Sequence, residues 1–132
     1  MKLLFTSLLI FTCTYTFCQT AENIIKFECE ARMFENLVGE KDQKISPGYR
    51  LLVIDFNKSS VDIHPDSIRL DMTSKITFQA KTGNLMIMEF KCIDPFNRVC
   101  IAELMYRDDK PFIFKITWEK FQLQYFLTKQ KQ

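Results

Sequence analysis

From Ile25 onward the chain alternates. Ile25, Phe27, Cys29, Ala31 and Met33 fall on one side of an extended backbone, and Lys26, Glu28, Glu30 and Arg32 on the other. A helix would scatter these residues around its circumference, whereas a strand, with its two-residue period, sorts them onto two faces. The pattern returns at about 49–56 and 60–64, around Ile68, Leu70 and Met72, and around Ile76, Phe78 and Ala80. It continues at 85–92, 99–106, 112–118 and 121–128. Turn-forming residues separate the runs: Asn57-Lys58-Ser59, Pro65, Lys81-Thr82-Gly83-Asn84, Asp94-Pro95-Phe96-Asn97, Arg107-Asp108-Asp109-Lys110-Pro111 and Glu119-Lys120. The least regular stretch, 34–48, is rich in charge and ends in Ser46-Pro47-Gly48, so it reads as a loop with a helical turn near 34–38.

Short turns fix register, because a slip of one residue exchanges the two faces of a strand. Placing Cys92 opposite Cys100, Tyr106 opposite Phe112 and Trp118 opposite Phe121 generates four rows across the last four strands. They are Met86–Tyr106–Phe112–Leu127, Met88–Leu104–Phe114–Tyr125, Phe90–Ala102–Ile116–Leu123 and Cys92–Cys100–Trp118–Phe121. Every member suits a buried face, which predicts an antiparallel meander. The same register assembles a second apolar row on the reverse side, from Ile87, Met105, Ile113 and Phe126, flanked by Leu85 and Ile101. A sheet with one wet face should be polar there. Ile87, Ile101, Met105, Ile113 and Phe126 are therefore the expected interface, for a second copy or another protein.

The predicted fold is all-β: an antiparallel up-and-down meander of eight or nine strands. A small closed barrel removes the hazard of bare sheet edges, and a two-sheet sandwich is the second choice. In strand plan alone the barrel resembles lipocalin-like binding proteins, an analogy of architecture. Thirteen Phe, an apolar share of 47% and only three Gly and four Pro demand a packed interior. Phe90, Phe112, Phe114, Ile116 and Trp118 would fill a small barrel and leave little room for a ligand.

Residues 1–18 have the layout of a secretory signal peptide. Lys2 is followed by an apolar run from Leu3 to Phe11 that is too short to span a bilayer, then by a more polar tail. Cleavage is expected between Cys18 and Gln19, leaving 114 of the 132 residues as a single domain over 19–132 with no transmembrane segment. The product would be secreted or periplasmic. Loss of Lys2 lowers the formal charge from +2 to +1, which gives no field for nucleic acid. Export also predicts a disulfide between the facing Cys92 and Cys100, worth about 2–3 kcal/mol by loop closure, with Cys29 a buried thiol.

Candidate chemistry is sparse. Asp62, His64 and Asp66 alternate and could offer three metal ligands on one side, although a fourth ligand is missing and a solvated edge explains them as well. His64 is the only histidine, which removes most triad and zinc-hydrolase schemes. Glu89 and Glu103 face each other on the outer side, with Lys115 beside Glu103 to relieve their repulsion. Asn57-Lys58-Ser59 matches the N-glycosylation acceptor pattern on a turn. No phosphate loop, nucleophile elbow or cofactor motif is present in the sequence. The expectation is an exported, non-enzymatic binding or interaction module. The alternatives are a carrier holding a small apolar ligand in a barrel cavity, and a hydrolase using Asp62, His64 or Glu103.

Overall fold

The computed structural model describes residues 23–74, 76 and 78–131. The leader expected at 1–18 and its cleavage point lie outside them. Nine strands follow one another: β1 (Ile24–Asn36), β2 (Gln43–Asp55), β3 (Ser60–His64), β4 (Ile68–Met72), β5 (Phe78–Thr82), β6 (Leu85–Ile93), β7 (Val99–Arg107), β8 (Lys110–Thr117) and β9 (Phe121–Lys131). All pairings are antiparallel, in the order β4-β3-β2-β1-β9-β8-β7-β6-β5. A short β4–β6 contact, Asp71 opposite Ile93 and Met72 opposite Cys92, closes eight strands into a barrel, and β5 remains outside as an extra strand on β6. Among the described residues no helix is long and apolar enough to cross a membrane.

The register of the second half follows the alternation. Met88, Leu104, Phe114 and Tyr125 form one inward row, and Phe90, Ala102, Ile116 and Leu123 the next. Trp118 N–H donates to the Phe121 carbonyl at 2.9 Å and closes the β8–β9 hairpin. One expected row is corrected. The β7–β8 turn is two residues, Asp108 and Asp109, both at positive φ (52° and 61°), rather than five. The surplus residue is absorbed by a bulge after Met105, so Pro111 and not Phe112 faces Tyr106. Phe112 instead lies under the Arg107 guanidinium, 4.5 Å from its ring centroid.

A second correction concerns the first hairpin. Residues 34–48 are mostly strand, with only 37–42 as the loop between β1 and β2. A bulge at Glu30 shifts the phase of β1, so Arg32 and Phe34 lie opposite inward-facing Tyr125 and Leu123, and Ala31 and Met33 move to the outside. The beginning of β2 stands beyond the end of β3, which pairs only with Leu51–Asp55, and so has a single neighbour. It needs no buried face, and Ile45 (66% exposed) accordingly has none.

The barrel is filled by its own side chains. Phe27, Leu52, Ile54, Val61, Ile63, Leu70, Leu104, Phe114, Ile116 and Tyr125 have no exposed surface. Phe90 lies between Phe56 and Phe114, at centroid separations of 6.5 and 6.4 Å. Each such large apolar side chain contributes about 1.5–3 kcal/mol on burial, so this interior carries the stability of the domain.

Candidate functional site

The expected outer row exists and is longer than four strands. Ile87 faces Met105, Met105 faces Ile113, and Ile113 faces Phe126. Ala31 continues the row on β1, Pro47 on β2 and Ala80 on β5, so apolar side chains cross seven strands in a single line. Ile101 lies on the same face, between Lys91 and Thr117. All five expected interface residues are half-buried. The neighbouring row is polar: Lys115 Nζ is 3.3 Å from the Glu103 carboxylate, and Glu89 faces Glu103 across β6 and β7.

Asp62, His64 and Asp66 are not brought together. Asp62 is 3.9 Å from Arg69, His64 is exposed, and Asp66 turns over the barrel mouth after a cis His64–Pro65 bond. Among the described residues no group of three or more His, Cys, Asp or Glu side chains could hold a metal ion.

Asp66 belongs to a different constellation. Its carboxylate accepts Arg50 Nε at 2.9 and 2.8 Å, Arg32 Nη1 at 3.0 Å and the Tyr125 hydroxyl at 2.9 Å. Arg50 is 8% exposed, and its Nη1 also donates to the Ser46 and Gly48 carbonyls. Burial, and then the Asp66 charge, push the Tyr125 phenol well above its ordinary value of 10.0. The alternation carried a signal for Arg50, which stands in phase with buried Leu52 and Ile54. It carried none for Arg32, because the bulge that turns it inward leaves no mark on composition.

At the same end of the barrel the β6–β7 loop is organised by Asp94. Its carboxylate accepts the backbone N–H groups of Phe96 (2.9 Å) and Arg98 (2.8 Å), Arg98 Nε (2.7 Å) and the Trp118 indole N–H (3.2 Å). Burial alone would raise the Asp94 pKa, but the Arg98 N–H and guanidinium and the Trp118 indole hold it below the usual carboxylate value. The Arg98 guanidinium sits 5.2 Å from the Phe96 ring centroid and 5.7 Å from that of Phe121. Phe121 stacks on Trp118 at 4.7 Å and on Phe34 at 5.7 Å. Beside this stack lies an open groove of about 600 Å³, bordered by Arg98, Val99, Trp118, Glu119, Lys120 and Phe121. In the sequence Asp94 reads as a turn residue and Trp118 as core, and no spacing joins the two into a site.

The cysteine expectation is half corrected. Cys92 and Cys100 face each other as the register requires, but no bond joins them; both are buried free thiols, as is Cys29. The ladder explains this. The Asp108 N–H to Asn84 carbonyl and Asp94 N–H to Arg98 carbonyl bonds bracket the β6–β7 pair, and counting by twos places Cys92–Cys100 at a hydrogen-bonded position. Side chains are further apart there than at the non-hydrogen-bonded positions that suit a cross-strand bridge. The hydrogen bond to Cys100, and then burial, raise the Cys92 thiol pKa; burial pushes Cys29 up to about 12. The Asn57 triplet lies on the exposed β2–β3 turn, where the Asn57 side-chain oxygen accepts a hydrogen bond from Asn23.

Comparison with protein-family models, curated proteins and solved structures gives no match for this chain.

Proposed function

We propose that the protein is an exported, non-enzymatic interaction module that meets its partner, in the first instance a second copy, through the outer apolar row. The observation that carries this reading is the unbroken line from Pro47 through Ala31, Phe126, Ile113, Met105 and Ile87 to Ala80, on the outside of a barrel whose inside is already full. On a solvated face each cross-strand apolar pair gains only about 0.2–1 kcal/mol, whereas a contact surface takes the whole line out of water. The acids of a hydrolase are engaged elsewhere: Asp62 with Arg69 and Glu103 with Lys115.

Sedimentation across a concentration series tests the reading. The wild-type chain should self-associate, and Ile113→Ser with Phe126→Ser should be monomeric. Both side chains are partly buried, so each substitution should cost about 1–3 kcal/mol. A wild-type chain that sediments as a monomer throughout, like the double variant, would sink the proposal. Export is tested at the N-terminus, which should begin at Gln19 in protein recovered outside the cytoplasm.

A further inference from the structure

We infer that the groove between the β6–β7 loop and the β8–β9 turn binds a small molecule that joins one carboxylate to an apolar tail. This site is separate from the outer row and would stand if that proposal failed. Its size is right for such a ligand: about 600 Å³ lies within the range of small-molecule pockets.

Its chemistry is two-sided. One wall is apolar, formed by Val99 and by the Trp118–Phe121 stack. Further exposed apolar residues gather at the same barrel end: Phe96 is 79% exposed and Val99 67%. Leu37 N–H bonds the Lys120 carbonyl at 2.8 Å and so holds the β1–β2 loop, with exposed Val38, against the β8–β9 turn. The other wall is cationic, supplied by Arg98 and Lys120. Arg98 is held before any ligand arrives. Asp94 takes its Nε, and two rings flank its guanidinium. Half of the side chain is still exposed, and among the described residues its Nη groups donate to nothing. A guanidinium fixed by one edge and open at the other is a ready fork for a carboxylate, because little freedom is lost when the ligand docks. Lys120 adds a second positive charge with no ion-pair partner among the described residues. Glu119 is the opposing charge and sets the sign of one test.

Trp118 is the sole tryptophan, so its emission reports on the groove directly. Octanoate and 3-phenylpropionate are titrated against the purified protein, with octanol and octylamine as controls, and calorimetry follows the same titrations independently of the indole. The expected result is saturable binding of the carboxylates, with the alcohol and amine weaker by roughly tenfold or more. The stronger of the two carboxylates identifies the tail as alkyl or aromatic. Arg98→Gln and Lys120→Gln should each weaken carboxylate binding by roughly tenfold, and Glu119→Gln should tighten it. Lys120 and Glu119 are turn residues with no structural bond through their side chains, so those variants remain informative if Arg98→Gln unsettles its loop. Ile113→Ser with Phe126→Ser should bind as the wild type does. Carboxylates that fail to bind, or bind no better than octanol, overturn the inference. Affinity unmoved by both Lys120→Gln and Glu119→Gln also overturns it.

Discussion

Asp66 and Asp94 occupy loops at the same end of the barrel and are built alike. Each is a nearly buried carboxylate that accepts from arginine and from an aromatic ring's polar group. They differ in where their partners come from. Asp94 bonds mainly within its own loop, to groups two and four residues away, and reaches once to Trp118. Asp66 uses no backbone donor among the described residues; it reaches Arg50, Arg32 and Tyr125, which are 16, 34 and 59 residues away on β2, β1 and β9. One carboxylate shapes a turn. The other ties the β3–β4 hairpin across the mouth of the barrel to the opposite wall.

That difference predicts unequal consequences. Asp66→Ala should be the most damaging change, because it strands Arg50, whose side chain is only 9% exposed, and loosens Arg32 with it. Breaking a buried pair from one side costs about 3 kcal/mol or more, to be read from denaturant unfolding. Replacing Arg50 with Met in the same chain should recover part of the loss, since the uncompensated charge is then gone. An equal loss from Asp94→Ala would erase the distinction.

Asp94→Asn should cost about 1–3 kcal/mol at neutral pH, because its backbone acceptor geometry partly survives. Its signature is pH dependence. A folded-state pKa below the ordinary 3.8 contributes stability that is complete above that value and is lost as pH falls further. The gap between wild type and Asp94→Asn should therefore close below about pH 3.8, as followed by unfolding at successive pH values.

Tyr125→Phe should have the smallest effect at neutral pH, about 1 kcal/mol for one hydroxyl that leaves a still-paired carboxylate behind. The sign of its pH effect is the reverse. A phenol raised above 10.0 in the folded state stabilises below that pH and ceases to do so as pH climbs toward the folded value. The wild type should lose stability above about pH 10 by a component that Tyr125→Phe lacks. If both chains soften equally in alkali, Tyr125 is not the group responsible.

The legible part of this molecule is its second half. Between Leu85 and Leu127 the strands are joined by tight turns, so alternation alone places Cys92 beside Cys100, Leu104 beside Phe114 and Ile116 beside Leu123. Bulges mark the limit. At Glu30 the pattern slips by one, and the sequence conceals it because Ala31 and Met33 are apolar on the face they join, which carries its own apolar row. Either phase of β1 looks acceptable on paper. The same slip hides Arg32, and with it the Asp66 cluster, whose members are collected only by closure of the barrel. Asp94 and Arg98 lay within reach, since an acid and an arginine four apart around a proline turn can bond locally. Their conversion into a groove required the β8–β9 turn to arrive beside them.

The extra strand β5 supplies none of the interior, for no residue from Phe78 to Thr82 belongs to the buried cluster. Its backbone is matched along β6 only. The enclosing wall is thus complete without it, and that flank can be peeled away, or exchanged for a strand from another chain, while the hydrophobic contents stay sealed.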